Sequence, residues 1–286
     1  MKLPLGTPQE HETNKVCKLH KAIYGLKQSP RAWYSKLSSV LEATGFTTSH
    51  ADSSLFVRTG ISGNLVVLIY VDDLIITSDN IEEINALKSS LHQQFAIKDL
   101  GILKYFLGIK MATSSKGLFF NQMRYVLDLL DEVGMLNCKP ASTPLVSRLQ
   151  VDAPSEPLPN LRVYQRVVGK LIDLTITRPD IAYSVSFVSQ FIHSPSMIHW
   201  ESVKRILRYL KGSIGRGLLM QKHGSNHIMA YTDADWTGNA LDRKSTTGFC
   251  TFVGGNLMTW KSKKQTVAAR SSAKAEYRAM AATTCD

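Results

Sequence analysis

Paired cysteines, long apolar runs and an excess of acidic residues are all missing from this sequence. Its four cysteines, at positions 17, 138, 250 and 285, lie far apart and form no CxxC pair, which argues against a zinc knuckle or a disulfide framework. No apolar run approaches the roughly 18 residues of a membrane span. The first residues have no apolar signal-peptide core. We therefore expect an intracellular protein that does not partner a membrane.

The charge balance is strongly basic. The 286 residues carry a formal net charge of +11, and the pI is near 9.5. A surplus of this size favours an acidic partner, most often nucleic acid, whereas the alternative is a soluble protein with Lys-rich faces. An apolar content of 44% is enough for real cores, and the length fits about two domains.

Apolar periodicity predicts alternating helices and hairpins in the first half of the chain. A helix is expected from Pro30 to a stop near Gly45, because proline suits a first helical position. Strands separated by glycine turns follow over residues 53–79. An amphipathic helix is expected next, and its apolar side is made of Ile81, Ile84, Leu87 and Leu91. A second hairpin and another helix follow.

The second half is predicted to begin with a long surface connection. Residues 140–159 hold five prolines and little apolar periodicity. Two helices broken near Arg178 and Pro179 are expected next, then a basic helix closed by Gly212. A new unit of three strands and a helix is expected to start at about His227.

Two adjacent carboxylates lie at the centre of the most apolar stretch, "LVVLIYVDDLIITS". Burying Asp72 and Asp73 side by side costs free energy and adds repulsion. A tight turn can lift both side chains into water, and a divalent cation can neutralise them. The residues by themselves leave both explanations open, because Asp-rich turns are common.

Several further motifs resemble one family. "YVDD" is similar to the catalytic box of reverse transcriptases, and "YGLKQSPRAWY" resembles the helix entry of copia-type LTR retrotransposon polymerases. "GILKYFLGIKM", "TRPDIAYSV" and "HWESVKRILRYLKG" are similar to the same family. "YTDADWTG", "DRKSTTGF", "WKSKKQTVA" and "RSSAKAEYRAM" resemble its RNase H segment. The resemblance covers nearly the whole chain. It is to the polyprotein region that contains reverse transcriptase and RNase H.

The resemblance implies an α+β reverse-transcriptase palm and thumb fragment followed by a partial α/β RNase H-like domain. Residues 1–118 would be a partial palm. Residues 119–226 would be the thumb and connection region, with the Pro-rich loop 140–159. Residues 227–286 would be the N-terminal half of the RNase H-like domain.

The polymerase roles implied by the resemblance concern two stretches. Asp72 would be a catalytic Mg²⁺ ligand and Asp73 its neighbour in the catalytic turn, also placed in the metal site. The resemblance also implies residues that contact the template, the primer end and the incoming nucleotide: Lys27, Gln28, Arg31, Tyr70 and Val71. The cationic and amide side chains among them suit contacts with a triphosphate and a base. A solvated helix start is the alternative for Lys27 and Arg31.

The RNase H roles implied by the resemblance fall on a second carboxylate set. Asp233 would be the catalytic metal ligand on a strand, and Glu276 the catalytic metal ligand on a helix. Asp235 is expected on the same strand face as Asp233, two residues on. Without the resemblance, Glu276 would be an ordinary exposed helix charge.

A cationic stripe is expected on the basic helix. Lys204, Arg205, Arg208 and Lys211 follow at helical spacing and could track the phosphates of RNA, DNA or an RNA–DNA hybrid. An ordinary solvated face is the alternative.

The departures from the family pattern affect the predicted function. A further polymerase Asp would precede Met1, and a third RNase H carboxylate would follow Asp286. Within the chain, Asp173 replaces a usual aromatic and Lys274 a usual acid. We therefore expect a polyprotein fragment, truncated at both ends and catalytically incomplete. The alternatives are an active reverse transcriptase and RNase H within a longer polyprotein, and a non-catalytic nucleic-acid-binding protein.

Overall fold

The computed structural model describes residues 16–20, 23, 25–60, 63–146, 155–239 and 242–285. The chain divides into two compact units, of which the first ends at Ile102 and the second begins at Leu103. Residue 118, the predicted limit of the palm, lies inside a strand of the second unit. The palm, thumb and RNase H assignments themselves stay predictions.

The first unit is a four-stranded antiparallel sheet with two helices. The strand order is β1-β2-β3-β4. In chain order its elements are α1 (Ser29–Ala43), β1 (Thr47–Thr48), β2 (Leu55–Gly60), β3 (Gly63–Tyr70), β4 (Asp73–Ser78) and α2 (Ile81–Gln94). The predicted first helix, strands and second helix are thereby confirmed, and Gly45 ends the α1 segment with a φ of +87°.

The core of the first unit follows from two periodicities. Alternate residues Leu65, Val67 and Ile69 of β3 are buried, as expected for a strand covered on one face. The buried helical residues lie at helical spacing: Leu37, Val40, Leu41, Leu87 and Leu91. The expectation for Ile81 is wrong, because its side chain is 66% exposed. Helical side chains lean toward the N-terminus, so the side chain of a first residue extends past the turns that cover the sheet.

The second unit begins with another antiparallel sheet, of order β5-β6-β7-β8. Its strands are β5 (Tyr105–Phe106), β6 (Ile109–Ser114), β7 (Gly117–Asn121) and β8 (Gly217–Met220). The predicted second hairpin corresponds to β6 and β7, and a turn at Leu107 and Gly108 divides its expected first strand into β5 and β6. The sequence pattern missed β8, because four residues are too few to show a period. β8 pairs with β7 across about a hundred residues of sequence, and only the folded chain brings them together.

A helical core lies between β7 and β8 in the sequence. Its helices are α3 (Met123–Glu132), α4 (Leu161–Leu174), α5 (Ala182–Ser189) and α6 (Met197–Lys211). The predicted break at Arg178 and Pro179 is confirmed as a short 3₁₀ turn, and Gly212 caps α6. Within the Pro-rich connection, the described residues 140–146 form no helix or strand, and residues 147–154 lie outside the described part.

The C-terminal region, residues 227–285, is the predicted unit of three strands and one helix. It contains β9 (Ile228–Ala234), β10 (Thr246–Val253), β11 (Asn256–Lys264) and α7 (Ser272–Cys285). The sheet is antiparallel in the order β11-β10-β9, so among the described strands β9 has a neighbour on one side only. Trp260 of β11 attaches the region to the helical core by donating its indole N–H to the Thr175 carbonyl at 2.9 Å.

Candidate functional site

A two-residue turn carries the first carboxylate pair. Tyr70 pairs with Asp73 across the β3–β4 hairpin, so Val71 and Asp72 form its tip. We call residues 70–73 the carboxylate turn. The side chains of Asp72 and Asp73 are exposed at the end of the sheet. The turn therefore lifts both charges out of the apolar hairpin into water, which avoids the cost of burying them.

The backbone of this turn is unusual. Val71 has a φ of +51°, a left-handed conformation that β-branched residues rarely adopt. The indole Nε1–H of Trp33, on α1, donates to the Val71 carbonyl oxygen at 3.2 Å. Sequence reasoning did not select Trp33, although it lies inside the "YGLKQSPRAWY" motif. Its contact with the turn spans 38 positions and becomes visible only in the fold.

The predicted substrate-binding residues of the first stretch lie at the start of α1. Gln28 is the N-cap residue, Lys27 precedes it and Arg31 lies in the first turn of the helix. All three side chains are exposed. Through Trp33, two residues after Arg31, this helix reaches the carboxylate turn, where Tyr70 and Val71 are exposed as well. Their contacts with substrate stay predictions.

The carboxylate turn fits Mg²⁺ only in part. Carboxylate oxygens are the hard ligands that Mg²⁺ prefers. Among the described residues, however, no group of three or more His, Cys, Asp or Glu side chains converges to hold a metal ion. Asp72 and Asp73 would therefore supply only part of a Mg²⁺ site, and their role as metal ligands stays a prediction.

The packing of α7 on β9 brings Glu276 to the backbone next to Asp233. Asp233 lies near the end of β9 with its side chain exposed, and Glu276 is half-buried on α7. The Glu276 Oε1 accepts a hydrogen bond from the backbone N–H of Ala234, the residue after Asp233, at 3.4 Å. Glu276 thus reaches the backbone beside Asp233, whereas the Asp233 side chain is on the opposite face of the strand from Ala234. Their role as metal ligands stays a prediction.

Asp235 is two residues after Asp233 and is the first residue beyond the end of β9. Its carboxylate accepts a hydrogen bond from the Thr246 backbone N–H, and a Cβ on Gly238 would collide with it. Partial burial raises the pKa of Asp235, and the charge of Asp233 acts in the same direction. Asp235 is therefore held by the loop that follows the strand, where sequence periodicity had placed it on the strand itself.

The two departures inside the chain have different surroundings. Asp173, which replaces a usual aromatic, is exposed and accepts a hydrogen bond from the Tyr125 hydroxyl at 3.2 Å. Burial raises the pKa of Tyr125 to about 12, and the Asp173 charge contributes. Lys274 is exposed in the first turn of α7. The charge at position 173 has thus gained a polar partner where the sequence indicated only a lost packing contact.

The cationic stripe on α6 is partly covered by the chain itself. All four cations are half-buried. Lys204 forms an ion pair with Glu201, and the Arg205 guanidinium donates to the Thr143 hydroxyl at 2.8 Å. The backbone N–H of Ala141 donates to the Arg208 carbonyl at 3.2 Å, so the segment from 140 to 143 runs along this helix.

Two cations of the stripe remain without a side-chain partner in the described part of the chain, namely Arg208 and Lys211. Because the other two are engaged in intramolecular contacts, a phosphate would meet Arg208 and Lys211 most easily. Binding of nucleic acid by the stripe stays a prediction. In the described ranges, no helix is long and apolar enough to cross a membrane.

Comparison with known proteins covers the entire chain. A family model described as reverse transcriptase (RNA-dependent DNA polymerase) matches residues 1–147. The chain is 40% identical to the retrovirus-related Pol polyprotein from transposon RE2 and 41% identical to that from transposon RE1, both of Arabidopsis thaliana. All of this chain and 20% of each polyprotein are aligned. No solved structure matches it.

A shorter relative is also similar. An uncharacterized mitochondrial protein of Arabidopsis thaliana is 42% identical over 222 residues, which are 78% of this chain and 92% of that protein. The chain thus spans a fifth of the length of the two Pol polyproteins and most of this shorter protein. From the family match and the similarity along its whole length, the chain belongs to the reverse transcriptase family of copia-type retrotransposon Pol polyproteins.

Proposed function

We propose that this chain contributes the carboxylate turn of a polymerase palm and an RNase H-like region to a retrotransposon Pol polyprotein, and that it does not catalyse on its own. The observation that carries the proposal is the pair of exposed carboxylates on a rigid hairpin with no third ligand beside them in the described residues.

The chemistry of DNA synthesis explains why a rigid turn matters. Bound Mg²⁺ ions lower the pKa of the attacking hydroxyl and neutralise charge on the transferred phosphate. The residues Asp72 and Asp73 would hold such an ion in place, because a short hairpin turn fixes both residues at the same exposed end of the sheet. Exposed Lys27 and Arg31 at the start of α1 are suited to triphosphate or template phosphates.

The RNase H-like region supports the same proposal. Asp233 lies near the end of β9, and Glu276 of α7 reaches the backbone of the next residue, Ala234. Carboxylates on a strand and on a helix packed against it suit metal-assisted hydrolysis of RNA. In the described residues this second pair also lacks a converging third ligand. The region would then complete its site only together with further parts of a polyprotein.

Primer extension tests the proposal. The chain should give no extension above background on a primed RNA template with Mg²⁺ or Mn²⁺, because two carboxylates are too few to hold the ions. Asp72→Asn is the informative variant. Asp79→Asn is its matched control, since Asp79 is exposed at the opposite end of β4. Extension that disappears in Asp72→Asn and persists in Asp79→Asn would overturn the proposal in favour of an active enzyme.

Binding of nucleic acid without catalysis is the second candidate function, favoured by Arg208 and Lys211, whose side chains have no partner among the residues that the structure describes. Duplex binding should be weak, independent of sequence and steeply dependent on salt. Replacing both residues by Gln should reduce the slope of log affinity against log salt by about 2. Lys116→Gln, in the exposed β6–β7 turn, is the control. Binding that is absent at low salt, or that barely changes with salt, would leave the stripe as a solvated face.

A further inference from the structure

We infer that Trp33 is a positioning residue for the carboxylate turn, because its indole N–H holds the peptide that links Val71 to Asp72. The functional meaning of this inference rests on the proposed role of Asp72. The geometry itself does not depend on that role.

The turn needs an external hold. Val71 is in the left-handed region, where its branched Cβ crowds the backbone. Its own side chain is 61% exposed and therefore gains little from packing. The strain at Val71 must be offset by contacts to its neighbours or its backbone. The hydrogen bond from Trp33 to the Val71 carbonyl is such a contact.

Trp33 is well placed to act as a fixed donor. It lies on α1, and its ring is half-buried. The indole packs edge-on against Phe95, with ring centroids 5.0 Å apart and an interplanar angle of 80°. Phe95 is the C-cap residue of α2 and its backbone N–H donates to the Leu91 carbonyl at 2.9 Å. Two helices of the first unit thus hold the indole ring.

The consequence for the carboxylate follows from peptide planarity. The Val71 carbonyl and the Asp72 N–H belong to one rigid plane. A donor that fixes this carbonyl therefore restricts the orientation of the plane, and with it the direction in which the Asp72 side chain leaves the turn. A metal ligand must be held close to its productive direction, and a supporting hydrogen bond is one means of doing so.

The test uses Trp33→Phe in the whole chain. Phenylalanine keeps an aromatic ring beside Phe95 and removes the indole N–H. Tyr34→Phe is the matched control. The Tyr34 hydroxyl donates to the Ser53 carbonyl at 2.5 Å, so this variant also removes a hydrogen bond from α1 to a loop carbonyl, but to the segment before β2 and not to the turn itself.

The expected result is local. In Trp33→Phe, amide exchange at Asp72 and Asp73 should accelerate by about two- to tenfold, the range for loss of one exposed hydrogen bond. The chemical shifts of residues 71–73 should change, while the shifts of β2 should not. Tyr34→Phe should leave the turn unchanged. Equal behaviour of the two variants at the turn would overturn the inference.

A measurement on the unsubstituted chain covers the case in which Trp33→Phe does not fold. Nuclear Overhauser contacts from the indole Hε1 of Trp33 to Val71 and Asp72 are expected, and their absence would overturn the inference. A titration with Mn²⁺ separates the two proposals. Broadening of the Asp72 and Asp73 amides supports the proposed role of the turn. A lack of broadening would count against that role and leave the measurement on Trp33 decisive for the inference.

Discussion

The helical core and the C-terminal region share one compact unit, yet their interiors differ in kind. The buried hydrophobic cluster of the helical core contains fifteen of the described residues, which are Leu, Val, Ile or Tyr. The buried cluster of the C-terminal region consists of four alanines: Ala234, Ala269, Ala275 and Ala279. Because hydrophobic stabilisation scales with apolar area removed from water, the same number of elements yields far less stabilisation in the second case.

The C-terminal region also has an exposed strand edge, at β9. On β9, the apolar side chains of Ile228, Met229 and Tyr231 are exposed, and Ile228 reaches 76%. Among the described strands this edge has no partner, and a long exposed apolar edge favours association with other chains. The C-terminal region thus forms all of its predicted strands and its helix, although it buries much less apolar surface than the helical core.

The largest effect is expected from truncating the helical core. Leu171→Ala removes a fully buried side chain and should lower the free energy of unfolding by about 2–5 kcal/mol. Ile172→Ala, on the exposed side of the same helix, is the control and should cost about 1 kcal/mol or less. Denaturant unfolding followed by circular dichroism measures both. Similar losses in the two variants would contradict the assignment of the core.

A second effect is expected in native-state hydrogen exchange. Amides of β9 and α7 should exchange at least about a hundredfold faster than those of α4 and α6, because local opening follows the number of buried apolar contacts. The β3–β4 hairpin, whose strand β3 buries Leu65, Val67 and Ile69, should also be better protected than the C-terminal region. Equal protection of these regions in a monomeric sample would contradict the comparison.

The smallest effect concerns pH and one histidine. The Nδ1 of His199 accepts a hydrogen bond from the Ser196 backbone N–H at 2.9 Å at the start of α6, and its ring stacks on Phe191. Burial lowers the pKa of His199 below its usual 6.5. The unfolded chain therefore binds this proton first, and the stability due to neutral His199 is lost as pH falls through the lowered pKa.

Lowering the pH should therefore reduce the difference in stability between the helical core and the C-terminal region. The raised pKa of Asp235 acts with the opposite sign, since its contribution is greatest at low pH and is lost as pH rises. His199→Gln keeps a side chain suited to this capping position and removes the titration. Lowering the pH below about 6.5 should reduce the free energy of unfolding of the helical core by on the order of 1 kcal/mol, the size of a helix-cap contribution. The loss should be smaller in His199→Gln. Thermal unfolding at several pH values measures both. If the stability of His199→Gln depended on pH in the same way as that of the unsubstituted chain, His199 would be excluded as the cause of the loss in acid.

The candidate sites were predictable to different degrees. The tight turn at Asp72 and Asp73 was one of two explanations that the sequence left open for two charges within an apolar hairpin, since burial of both is costly, and the structure shows the turn. The proximity of Asp233 to Glu276 was expected only through the family resemblance. The contact of Trp33 with Val71 had no sequence signal beyond its motif. The Thr143 contact that engages Arg205 of the stripe lies 62 positions away along the chain.

The sequence by itself determined the helices, most of the strands, the break at Pro179 and the chemical type of both carboxylate pairs. These depend on local periodicity, on the fixed φ of proline and on the charges of single side chains. Tertiary structure alone decided that β8 completes the second sheet, that Trp33 holds the carboxylate turn and that the stripe is partly covered. Each of these is a contact between residues far apart in the chain, and such contacts form only where the whole core brings the elements together, which no local pattern encodes.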